Sequence, residues 1–119
     1  MPLQAAPSAQ RLRPLKGTRI LSLALNLPGP AALMRCRDMG ATCIKLEPPA
    51  PAGSRAGASG DPMGLYNRTA YDVMHQGMRV VAADLKTEAG QRALHKELAK
   101  ADVLLTSFRP SALKKLGLE

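Results

Sequence analysis

The chain has 119 residues and a formal net charge of +8, from 17 Lys and Arg against 9 Asp and Glu. That length allows one domain at most, and a hydrophobic share of 45% can build a core, although with little margin at this size. No apolar run approaches the length of a membrane span, and the positive balance favours anionic partners, yet aromatic residues at 3% give too few stacking platforms for a single-strand nucleic-acid binder.

Residues 1–17 contain Arg11, Arg13 and Lys16, no acid, and none of the apolar stretch of a secretory signal, so residues 1–14 are expected to be a disordered leader. The fold is expected to start at Leu15–Gly17. Arg19–Leu25 is a short apolar run suited to a buried strand. Pro28-Gly29-Pro30 breaks it, and Pro30 suits the first turn of a helix, where a missing N–H costs nothing. Ala32, Leu33, Cys36 and Met39 follow at helical spacing and Gly40 supplies the stop. Thr42–Leu46 reads as a second strand, giving a β-α-β unit with parallel pairing.

Pro48–Gly64 is rich in Pro, Gly, Ser and Ala and reads as a long surface loop; Leu65–Met74 reads as a short helix. Arg79–Asp84 is the third strand. Thr87 can cap the next helix, with Glu88 at its positive end and Ala93, Leu94, Leu98 and Ala101 on one face. Val103–Thr106 is the fourth strand, and Pro110–Ser111 opens a last helix that ends at Gly117. Two βαβ units predict an α/β fold: a Rossmann-like three-layer domain with a mostly parallel sheet, spanning residues 15–119.

Several chemistries are disfavoured by the residues. The turn after the first strand, Asn26-Leu27-Pro28-Gly29-Pro30, has one glycine where close approach to a pyrophosphate needs more, and there is no P-loop. Cys36 and Cys43 match no zinc or redox spacing and read as buried free thiols of a reducing cytoplasm. His75 and His95 read as surface histidines, Asp61 as a carboxylate without a partner, and Asp84 and Asp102 as turn or cap residues. No metal set and no catalytic triad assembles.

Parallel sheets bind ligands beyond the carboxyl ends of their strands. Those ends carry Leu27–Pro30, Glu47–Pro49, Asp84–Lys86 and Ser107–Pro110, which puts Lys86, Arg109 and Lys115 on one rim near helix N-termini. Cations and free backbone N–H groups together can hold phosphate. The same residues also suit a solvated rim with capping roles, and the pattern leaves both readings open.

Leu15-Lys16-Gly17, Gly29-Pro30, Gly40-Ala41 with Ile44–Pro49, Gly60-Asp61-Pro62, Asp84–Thr87 with Gly90, Ala101-Asp102-Val103, Phe108-Arg109-Pro110 and Leu116-Gly117 occur in an order and spacing that resemble the N-terminal part of the CaiB/BaiF group, the family III CoA transferases. The resemblance implies coenzyme A or acyl-CoA as substrate and CoA transfer between carboxylic acids through an aspartyl anhydride. It places the catalytic aspartate downstream of Glu119, so no catalytic residue carries over and the chain is expected to be inactive alone. What carries over is part of a CoA pocket: Leu27, Arg79, Ala83, Lys86, Ser107, Phe108, Arg109 and Lys115. Full-length members of the family form interlocked homodimers.

The chain departs from the family pattern at His75–Val80, which keeps only Gly77 and Arg79 of a basic segment, and at Ser107, where the family has asparagine. The alternative functions are a fragment of a 2-methylacyl-CoA racemase, or a non-catalytic basic module that binds nucleic acid or an acidic protein.

Overall fold

The computed structural model describes residues 13–55 and 57–118. Most of the expected leader, residues 1–12, lies outside the described residues. The elements run β1 (Arg19–Ser22), α1 (Pro28–Asp38), β2 (Thr42–Glu47), α2 (Pro62–Tyr66), α3 (Arg68–Met74), β3 (Arg79–Ala82), α4 (Glu88–Leu98), β4 (Val103–Leu105) and α5 (Pro110–Lys115). The strands form one sheet in the order β3-β2-β1-β4, and every pair is parallel. Leu21 lies opposite Ile44 on one side and Leu104 on the other, while Leu46 lies opposite Val81.

This order explains the composition of the strands. The two inner strands are covered on both faces, so Ile20–Ala24 and Cys43–Glu47 are buried throughout, whereas the edge strands β3 and β4 keep exposed positions. On one face Leu21, Leu23, Ile44 and Leu46 pack with Leu94 of α4, and Leu85, Phe108 and Leu118 close over them. On the other face Ile20 and Cys43 pack with Leu33 of α1, and Met63, Tyr71 and Met74 from α2 and α3 lie against Ala31 and Met34 of α1. The result is a three-layer α/β domain. Burial of one side chain such as Leu94, fully removed from solvent, contributes about 1.5–3 kcal/mol.

Local signals account for most of the ends. Pro28 occupies the first position of α1, and Gly40 ends the connection to β2 with a φ of 102° that only glycine adopts without strain. The Thr87 hydroxyl accepts from the Gly90 N–H at 3.0 Å and caps α4, with Glu88 in its first turn.

The structure departs from the sequence reading in four places. β1, β3 and β4 end earlier than expected, although the Leu23 N–H still donates to Leu105 O at 2.8 Å and the Ala83 N–H to Glu47 O at 2.8 Å. The single helix expected over Leu65–Met74 is two helices, because the Asn67 side chain accepts from the Ala70 N–H at 3.0 Å and starts α3 afresh. The loop expected to run on the surface through Gly64 ends at Asp61, and Ser59 and Asp61 are buried. Ala32 is exposed, since the inward face of α1 centres on Pro30 and Leu33. Among the described residues no helix is long and apolar enough to cross a membrane.

Candidate functional site

All four strands point the same way, so their carboxyl ends meet at one edge of the sheet, where this architecture leaves a crevice. A cleft of about 1060 Å³ lies there. Leu23, Leu46 and Ala83 reach it from the ends of β1, β2 and β3. Pro48 and Pro49 line it from the segment after β2, and Phe108, Ala112 and Leu116 from the segment after β4. Two cations, Lys86 and Lys115, stand among these apolar groups. Neither forms an ion pair among the described residues. Ligand clefts commonly enclose about 300–1,000 Å³ with mainly apolar lining and a few placed polar groups.

Lys86 is held by its turn. The Asp84 carboxylate accepts from the Lys86 N–H at 3.0 Å, and Asp84 O accepts from the Thr87 N–H at 3.0 Å and the Thr87 hydroxyl at 2.8 Å. The Gln91 side chain donates to Leu85 O at 2.6 Å. Helix α4 lies so close to this turn that a Cβ on Gly90 would meet Asp84 O at 1.8 Å. Here glycine is required by contact, and its absence of a side chain sets the position of Lys86 at the cleft. Phe108 is placed by a local turn in which the Thr106 hydroxyl accepts from the Phe108 N–H at 3.0 Å.

The eight expected site residues divide evenly. Ala83, Lys86, Phe108 and Lys115 line the cleft, whereas Leu27, Arg79, Ser107 and Arg109 do not. Leu27 is the N-cap of α1 and half exposed; Ser107 is exposed just before Phe108; Arg109 is the exposed N-cap of α5. Arg79 is the first residue of β3 and so lies at the amino end of the strand, away from the cleft, where it pairs with the buried Glu97. Lys86 and Lys115 therefore share one edge, and Arg109 stands outside the lining.

Behind the cleft is a buried polar cluster that the sequence reading missed. Lys45 is fully buried and bonds the fully buried Asp61 carboxylate. Its ammonium also reaches His75 Nε2 at 2.9 Å and stands 3.8 Å from Glu47 Oε1. Glu47 in turn accepts from the Tyr71 hydroxyl at 2.5 Å and from the Ser59 hydroxyl. The second Asp61 oxygen accepts from Asn26 N–H at 2.9 Å and Met63 N–H at 3.0 Å.

Two expectations are thereby corrected. Asp61 has a partner, and indeed ties β2, the turn after β1 and the start of α2 together. His75 is buried because it ends α3 against Lys45 of the inner strand β2, stacked on Tyr71 with ring centroids 4.1 Å apart; His95 is exposed on α4 as expected. A signal was present. The alternation of TCIKLE puts Cys43, Lys45 and Glu47 on one face of a strand buried on both sides, so Lys45 needed a buried acid.

Burial shifts the protonation equilibria here. It pushes the Tyr71 hydroxyl up to about 12, helped by the bond to Glu47, and the Cys43 thiol up to about 11, helped by nearby Cys36. It pulls His75 below its ordinary value of 6.5, with the Lys45 charge acting in the same sense. Both cysteines are free, Cys43 buried and Cys36 half-buried. Among the described residues no group of three His, Cys, Asp or Glu could hold a metal ion.

The family model described as CoA-transferase family III matches residues 15–119. The chain is 38% identical over 105 residues to a cinnamoyl-CoA:phenyllactate CoA-transferase of Clostridium sporogenes, covering 87% of this chain and 26% of that protein. It is 35% identical over 115 residues to a succinate–glutarate CoA-transferase of Agrobacterium fabrum, covering 92% and 28%. Among solved structures, a hypothetical protein of Mycobacterium tuberculosis matches with a TM-score of 0.75 at 32% identity, covering 90% of this chain and 29% of the other. The chain thus spans less than a third of the length of these relatives and corresponds to their N-terminal part. Matched over almost all of its length and carrying the ordered segments described above, the chain belongs to CoA-transferase family III.

Proposed function

We propose that the chain supplies the coenzyme A cleft of a family III acyl-CoA transferase, an enzyme that moves CoA between carboxylic acids. The observation that carries the proposal is the pairing of Lys86 and Lys115 with an apolar lining that includes Phe108, at the carboxyl ends of a parallel sheet. CoA combines anionic phosphates with a flat base and a long thiol arm, and this lining offers a complement to both characters. The relatives' names support the substrate class.

The two carboxylates near the cleft do not suit a nucleophile's role. Glu47 is held by Tyr71 and Ser59 in the interior, and Asp84 is engaged by its own turn. This supports a thioester-attacking aspartate located elsewhere in the enzyme. A reducing cytoplasmic setting agrees with the two free thiols. Interlocked pairing belongs to the same proposal as a property of the full-length enzyme, and on this part of it Leu27, Leu65 and Tyr66 are exposed apolar surface.

Calorimetric titration with CoA tests the reading. Lys86→Ala and Lys115→Ala are each expected to weaken binding about fivefold, the value of roughly 1 kcal/mol for an exposed charge contact. Affinity unchanged in both variants, or no heat at millimolar CoA, overturns it.

A further inference from the structure

The buried cluster is joined to the cleft at two points and to the turn after β1 at a third. Glu47, whose carboxylate lies in the cluster, is itself part of the cleft lining, immediately before Pro48 and Pro49. Asp61 ends the 48–61 segment, and a Cβ on its neighbour Gly60 would meet Pro48 O at 1.9 Å, so the end of the segment is pressed directly on its beginning. Asp61 also holds the Asn26 N–H, in a turn where Asn26 has a φ of 71° next to Leu27. A change at Lys45–Asp61 therefore passes to Pro48 and Pro49 through backbone contact.

His75 has only one protonation state that suits this geometry. Its Nδ1 lies 2.7 Å from Tyr71 O, which can only accept, so Nδ1 carries the proton. Its Nε2 lies 2.9 Å from the Lys45 ammonium, which can only donate, so Nε2 must be the unprotonated acceptor. A second proton would set N–H against N–H⁺ and two cations side by side in the interior. The groups facing the ring are Lys45 and Glu47 from β2, Asp61 from the 48–61 segment and Tyr71 from α3; Arg68 lies over the Tyr71 ring, 5.0 Å from its centroid, and Arg37 of α1 bonds the carbonyls of Met74 and Gln76 on either side of His75.

We propose that Lys45, Asp61 and His75 are positioning residues for the Pro48–Pro49 part of the cleft, and that a proton on His75 releases the 48–61 segment and loosens the cleft. The closed form excludes that proton, whereas an opened form exposes the imidazole to water and binds it near the ordinary 6.5. Opening therefore grows as pH falls below 6.5, by up to about tenfold per pH unit for one linked proton, and does not depend on pH above it. The effect on ligand affinity rests on the proposed CoA cleft; the opening itself does not.

The test uses the whole chain between about pH 7.5 and pH 5. Amide exchange at Asn26, Asp61 and Met63, whose N–H groups are held by the Asp61 carboxylate or the Ser59 hydroxyl, is expected, after correction for intrinsic rates, to speed up by up to about tenfold per pH unit below 6.5. His75→Gln, which cannot take the proton, is expected to flatten that profile, and CoA affinity is expected to follow the same curve in the parent chain. Protection unchanged across the range, or an identical acid response in His75→Gln, overturns the proposal. If that variant does not fold, the His75 ring proton signals of the parent decide: a midpoint shared with these amides supports it, and a titration that leaves those amides unmoved refutes it. Acid opening without any CoA binding would sink the cleft assignment alone.

Discussion

Gly90→Ala is the substitution that most sharply probes how the sequence places Lys86. The added Cβ would lie 1.8 Å from Asp84 O and 2.4 Å from Asp84 C, against the 3.4 Å at which ordinary contact begins. Both clashing atoms are backbone, so no side-chain rotation relieves them. Either α4 or the Asp84–Thr87 turn must move by more than an ångström. The atom struck, Asp84 O, is the acceptor for the Thr87 N–H and hydroxyl, and Thr87 caps α4, so the shift strains the cap as well. Overpacking of this kind costs about 1–3 kcal/mol, and a purely backbone clash belongs at the upper end. Alanine's better helix propensity returns less than about 1 kcal/mol. A net loss of about 2 kcal/mol is expected, a large part of the stability of a small domain. Urea denaturation followed by far-ultraviolet circular dichroism measures it through the midpoint at constant slope. CoA affinity should fall with it, because Lys86 sits in the displaced turn. A variant as stable as the parent, with unchanged affinity, would mean that α4 does not press on the turn and that Gly90 has no part in the site.

Arg79→Ala should leave CoA affinity unchanged while lowering stability by about 1–3 kcal/mol, because it strands the buried Glu97 carboxylate, one oxygen of which already lacks a partner; calorimetry and urea melts on one preparation separate the two effects. A native-state thiol assay near neutral pH should label Cys36 and spare Cys43, whose buried thiol titrates at about 11, and both should react in urea. Equal reactivity of the two in the native chain would contradict the placement of Cys43 beneath α1.

The layers of the fold were legible because their signals are local or periodic. Apolar runs marked β1 and β2, prolines opened α1 and α5, and Thr87 with Glu88 marked the start of α4. The sheet-end rule likewise put Lys86, Arg109 and Lys115 on one rim; Lys86 and Lys115 line the cleft, while Arg109 caps α5 outside the lining. Arg79 did not follow, because strand polarity places the first residue of β3 at the far end of the sheet, and a motif position alone does not report which end of a strand it occupies. The buried cluster escaped for a different reason. Lys45, Asp61 and His75 come from three separate stretches, and their pairing depends on how the glycine-rich 48–61 segment folds back, which leaves no periodic trace. The strand alternation at Lys45 was the one visible cue.

The most direct measurement is a CoA titration followed by backbone amide chemical shifts of the isotope-labelled chain. Saturable shifts concentrated at Leu46, Leu85, Lys86, Phe108 and Leu116, with Arg79 and Glu97 unmoved, are the expected result. Shifts confined to the exposed basic face of α4, or none at millimolar CoA, would contradict the placement of a CoA site in this cleft.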